Sequence, residues 1–189
     1  MDHEERLSVA FHEAGHSAMH YWRRESLHSR WIMLNEDRYG GATHVPLLDL
    51  DESDLMILIA GPLAQLLHLG VMPVRAIRFP REYRIATSDS ARIRACVRGL
   101  RGKDDLPYQF GVQERVREIL QRPIMWEGIT AAAERLSVKG KLSGEQFEAI
   151  FERLGVPDQF GARRRAPGVS RAERLEFRRL INEIRGSAR

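Results

Sequence analysis

The segment His12-Glu13-Ala14-Gly15-His16 limits the fold of this chain more than any other. It reads H-E-x-x-H, and that spacing has a physical use only on a helix. Positions i and i+4 lie about one turn apart on one face, so two imidazoles can grip a single metal ion. The residue after the first histidine points to the side of that ion, where a carboxylate can hold a water. Zinc would lower the pKa of the water to roughly 7, and Glu13 would take its proton. Leu7, Ala10, Phe11, Ala14 and Ala18 recur at helical spacing, which predicts an amphipathic helix from about Glu4 to Arg23 with a buried side.

Two histidines do not complete a zinc site. A third protein ligand is needed, with a position left open for water. Asp89, His44, His68, Glu82 and the acids of 49–54 are all candidates, and spacing does not choose among them. Cys96 is the only cysteine, so the site is not a thiolate cluster and the chain forms no internal disulfide. The acidic start, Met1-Asp2-His3-Glu4-Glu5, does not resemble a secretion leader. The longest apolar run, Leu55 to Leu67, is broken by Gly61-Pro62 and Gln65 and is too short to span a bilayer. A cytoplasmic location without a transmembrane segment is the expectation.

The 189 residues suggest one principal domain, 1–157, and a basic tail, 158–189. The net charge of +4 is uneven: residues 161–189 hold nine arginines and three glutamates, leaving −2 for everything before them. That argues against a nucleic-acid-binding body, and only the tail suggests contact with nucleic acid or an acidic surface. Within the tail, Ser170 to Arg185 is expected to form a helix with a partial apolar stripe.

Trp31 to Leu34 reads as a short strand, Asn35 to Arg38 as a turn, and Tyr39 to Pro46 as a second strand, giving a small hairpin. If its second strand is at an edge, Gly41, Ala42 and Thr43 could pair with an extended peptide by main-chain hydrogen bonds. Leu55 to His68 is apolar nearly all round and reads as a core helix, with Ala60, Gly61 and Ala64 allowing close approach to the histidine helix. Gly70 to Tyr83 reads as an irregular connection. Thr87 or Ser88 is expected to cap a helix through Val97, with Asp89 in its first turn. Asp104 to Gly111 reads as a loop, with Pro107 and Gly111 as breakers. Glu114 to Gln121, Trp126 to Leu136 and Phe147 to Leu154 read as packing helices, the last capped by Ser143 to Gln146. Trp126, Phe147, Phe151 and Cys96 are expected in the core.

The chain resembles the peptidase domain of the FtsH-type AAA+ zinc proteases over roughly residues 4–151. Val9 to His16 resembles that family's start, and Gly41-Ala42-Thr43 with Val45-Pro46 resembles its glycine-Tyr-Thr strand ending in Pro. Leu58 to Gln65 is similar to its glycine-Arg-Ala-Ala-Glu helix, and Glu114 to Phe151 to its closing helices. Thr87-Ser88-Asp89 matches its Ser-Asn-Asp segment, and the resemblance therefore implies Asp89 as third zinc ligand. Pro62 stands where the family has arginine, and Gln65 where it has an acid. The sequence contains no G-x-x-x-x-G-K-[ST], since Gly102-Lys103 runs into Asp104 and Gly140-Lys141 into Leu142.

The expectation is a mostly α-helical domain with a small β-hairpin beside the active-site helix. It would act as a zinc-dependent endopeptidase on a protein or peptide substrate, with His12, His16 and Asp89 on Zn2+ and Glu13 as general base. A separate ATPase would feed it, or its substrates would be already unfolded or flexible; a homo-oligomer is a further expectation. Two alternatives stand beside this: a regulator-cleaving soluble zinc peptidase with a different third ligand, and a non-enzymatic interaction protein that presents the basic tail.

Overall fold

The computed structural model describes residues 2–23, 27, 31–35, 40–43, 51–72 and 86–158. Within them the chain is mostly helical, with one small antiparallel sheet. Helix α1 (His3–Trp22) is the centre of the fold. Its start is fixed by Asp2, whose side chain accepts from the Glu5 amide at 2.8 Å, and by Glu4 and Glu5 in its first turn. From Ser8 to Trp22 every residue is buried. The expected amphipathic helix is thus enclosed on all faces, because α2, α5 and the sheet all pack around it.

Helix α2 (Glu52–His68) is N-capped by Asp51, which accepts from the Asp54 amide at 2.9 Å. It is the expected core helix, buried continuously from Ile57 to Gln65. Its approach to α1 depends on glycine at two positions. A Cβ at Gly15 would stand 2.5 Å from the Ala60 carbonyl oxygen and 2.7 Å from the Ala64 Cβ. A Cβ at Gly61 would run into the His16 ring, 2.5 Å from Cε1. These small residues set the helix separation and therefore the depth of the site between α1 and α2.

Helix α3 (Ala86–Arg101) buries Ile93, Cys96 and Val97 and packs on α2. It begins at Ala86, so Thr87 and Ser88 stand inside its first turn and are not its cap. Helix α4 (Leu106–Leu120) corrects the expected loop over Asp104 to Gly111. Pro107 sits in the first turn, where its missing N–H costs nothing, and Asp105 caps the end by accepting from the Tyr108 amide at 2.9 Å. Gly111 is tolerated inside the helix because Val112 and Val116 anchor the turn around it in the core.

Helix α5 (Pro123–Lys139) ends at Gly140, whose φ of 72° is the left-handed conformation that stops a helix. The chain then forms a strand that the sequence did not announce. The first strand β1 (Trp31–Asn35) pairs antiparallel with β2 (Gly40–Thr43) on one side and with β3 (Lys141–Ser143) on the other. The order β2-β1-β3 leaves β2 at an edge among the described residues. Leu34 pairs with Gly41 and Ile32 with Leu142, and Ile32, Leu34 and Leu142 all face the core. The strand β3 is only three residues long and lies between a helix stop and a cap, which hides it from any periodicity.

Helix α6 (Gly144–Leu154) starts with a full capping box: Ser143 Oγ accepts from the Gln146 amide, and Gln146 Oε1 accepts from the Ser143 amide. Phe147 stacks on Phe151 at 4.5 Å, Tyr21 meets Phe151 at 5.0 Å, and both phenylalanines are buried. Each contributes about 1.5–3 kcal/mol of burial. Trp126 packs on the core only partly buried. No helix among the described residues is long and apolar enough to cross a membrane. Of the expected turn Asn35 to Arg38, Asn35 instead closes β1; 36–38, positions 39 and 44–46 of the expected second strand, 73–83 of the connection and the tail 159–189 lie outside the described residues.

Candidate metal centre

Helical spacing places His12 and His16 on the face of α1 that meets α2, and their rings stand 4.8 Å apart, centroid to centroid. Asp89 arrives from the first turn of α3. His12 Nε2 lies 2.8 Å from Asp89 Oδ2, His16 Nε2 lies 3.5 Å from the same oxygen, and the two Nε2 atoms are 3.1 Å apart. The edges of a tetrahedron with zinc–ligand bonds of about 2.0–2.1 Å are about 3.3–3.4 Å, so three donors at these separations suit one ion. All three residues are buried, and they form a group that could hold a metal ion.

Both rings are held from behind. His16 Nδ1 donates to the Ile57 carbonyl at 2.8 Å, and His12 Nδ1 donates to Gln65 Oε1 at 3.2 Å. A proton held on Nδ1 leaves the Nε2 lone pair for a metal. Pro62 lies inside α2 one residue beyond Gly61, where the helix is pressed against His16.

Asp89 and His16 sustain each other's charge. Burial disfavours the imidazolium, but the hydrogen bond to Asp89, the charges of Asp89 and Glu13 and the Ile57 carbonyl together raise His16 to about 9. Burial likewise pushes the Asp89 carboxyl up, and its bonds to His12 and His16 with their charges overcome this and hold it well below the usual carboxylate range. Glu13 is buried beside the group, 3 % exposed, and its charge acts on His16.

The other candidate ligands divide in two. His68 stacks on Phe11 at 4.0 Å, away from the group, and burial lowers its pKa. Asp51 caps α2, while Glu52 accepts from Tyr108 Oη and Arg115, both at 2.7 Å, so these acids serve structure. His44, Glu82 and positions 49 and 50 lie outside the described residues. Cys96 is buried away from the group, and its thiol is pushed up to about 11 by burial and by the charges of Asp54 and Asp51. Gly41, Ala42 and Thr43 lie in the edge strand β2, which packs against α1.

Sequence reasoning passed over Ser8 and Ile57, and it singled out Gln65 near the metal only as a departure from the resembled family's acid. Gln65 carried a signal nonetheless: a polar side chain within an apolar core helix must find a hydrogen-bond partner. The Ile57 contact is made by a backbone carbonyl and has no signature in residue type.

The fold and this group together define a mostly helical protein with a buried His/His/Asp cluster suited to a metal ion. No family model matches the chain, and no curated protein does either.

Proposed function

We propose that the chain is a zinc-dependent endopeptidase. The observation that carries this reading is the convergence of His12, His16 and Asp89 within 4.8 Å of one another, with Glu13 buried next to them. Two imidazoles and one carboxylate are the donor set of a hydrolytic zinc site that keeps a position open. The resemblance to the FtsH-type peptidases supports the same assignment through the H-E-x-x-H helix and Thr87-Ser88-Asp89.

His12, His16 and Asp89 hold the ion, with Gln65 and the Ile57 carbonyl fixing the two rings. When bound, zinc supplies Lewis-acid activation of water and of the scissile carbonyl. Glu13 accepts the proton of the attacking water and returns it to the leaving amine nitrogen. The substrate lies extended along β2, the sheet edge among the described residues, taking main-chain hydrogen bonds from Gly40–Thr43. Without an ATPase motif in the sequence, the substrates are flexible or already unfolded chains, or are delivered by a separate ATPase. The test is digestion of an unfolded protein such as casein by the zinc-loaded chain without ATP. Chelator-sensitive cleavage is expected, and its absence with zinc bound would count against an autonomous peptidase.

Metal loading is expected to release a proton. His16 is protonated below about 9 in the metal-free chain, and a metal on Nε2 displaces that proton. Zinc affinity should therefore fall as pH drops below that value, by up to about tenfold per pH unit. Calorimetry at pH 7 in two buffers of different ionisation enthalpy should report at least about one proton released per zinc.

A further inference from the structure

Gln65 is 7 % exposed in the middle of the core helix α2, and both ends of its amide are used. Its Nε2 donates to Ser8 Oγ at 3.0 Å, and its Oε1 faces His12 Nδ1 at 3.2 Å. Ser8 stands four residues before His12 on α1, so the amide bridges two successive turns of that helix. With its NH2 on Ser8 Oγ, which accepts, the amide turns its oxygen toward His12 Nδ1. A metal on His12 Nε2 requires the ring proton on Nδ1, and this oxygen is placed to accept it. His16 is held differently, by a backbone carbonyl that no side-chain change removes.

We infer that Gln65, oriented by Ser8, is the positioning residue that sets the tautomer and ring direction of His12 for metal binding. Its side chain is neutral, so residue 65 adds no negative charge behind the histidine to those of Asp89 and Glu13. A carboxylate at position 65 would make His12 a more basic ligand and hold the ion more tightly. The hydrogen-bond acceptor at residue 65, and not the packing of its side chain, is what the metal requires.

This inference rests on the metal-binding reading above, and the experiment separates the two. Zinc affinity is measured on the full chain by competition with a chromogenic chelator, alongside thermal melting of each metal-free protein. Gln65→Met removes the acceptor at similar length and should weaken zinc binding by about 10–100-fold. Gln65→Glu keeps an acceptor and should bind at least as tightly as wild type. Ser8→Ala should weaken binding less than Gln65→Met, with its metal-free melting close to wild type. Zinc binding by Gln65→Met at wild-type affinity would overturn the inference, as would a Gln65→Glu protein weakened as much as Gln65→Met. If Gln65→Met does not fold, Ser8→Ala decides: unchanged affinity overturns the inference, and weakened affinity with unchanged melting supports it. Absence of zinc binding by the wild type would instead overturn the metal-binding reading, and this inference with it.

Discussion

Glu13→Gln is expected to bind zinc as the wild type does and to lower kcat/KM on an unfolded protein by about 10²–10⁴-fold, the usual contribution of a positioned general base. The substitution keeps the size and the buried position of the side chain, 3 % exposed on a helix that is enclosed throughout. It leaves His12, His16 and Asp89 untouched. What it removes is the ability to take a proton from water, together with a negative charge that supports protonation of His16. Losing that charge should, if anything, ease displacement of the His16 proton by the metal. Loss of cleavage with zinc retained is therefore the signature of a base. Elemental analysis and a casein digest on the same preparation check it, and undiminished cleavage by Glu13→Gln would remove Glu13 from the mechanism.

Gly61→Ala should have an effect of similar size by another route. The added methyl would fall on the His16 ring, 2.5 Å from Cε1 and 2.6 Å from Cδ2, with Nε2 also in its path. Real side chains do not approach so closely, so either α2 moves outward or His16 turns away from His12 and Asp89. Overpacking of this kind costs about 1–3 kcal/mol of stability. Zinc affinity should drop by more than about 100-fold, since a donor atom is displaced and not merely its supporting partner. Chelator competition and thermal melting measure the two effects separately. Wild-type zinc affinity in Gly61→Ala would show that α2 yields and His16 keeps its place.

The helix that carries the site was legible because two independent patterns coincide on it: apolar residues at helical spacing and histidines at i and i+4. Asp89 was legible only through resemblance, since an acid in the first turn of a helix is ordinarily a partner for the helix dipole. The structure brings it to the histidines through the packing of α3 on α2, a long-range event that local spacing does not encode. The region before Glu114 was misread because Pro107 and Gly111 are breakers in a helix interior, whereas Pro107 occupies the first turn of α4. Strand β3 escaped because it is defined by its pairing with β1 and not by its own residues. The capping box at Ser143, by contrast, was readable from four consecutive residues, because its hydrogen bonds are local.

Gln65 illustrates how far such reading reaches. Its identity was visible as a break in the apolar run, but the partners of its amide, Ser8 and His12, stand on a different helix. The paired glycines are similar. Gly61 was read as allowing close approach, while its opposite number, Gly15, sits inside the H-E-x-x-H motif and packs against Ala60 and Ala64.

The most direct test of the central claim is the zinc content and zinc affinity of the wild type and of Asp89→Ala. Each is loaded and dialysed, then measured by elemental analysis and chelator competition. One zinc per chain in the wild type, with the ion lost or greatly weakened in Asp89→Ala, is the expected result. A wild type that retains no metal, or an Asp89→Ala protein that binds zinc at wild-type affinity, would contradict it.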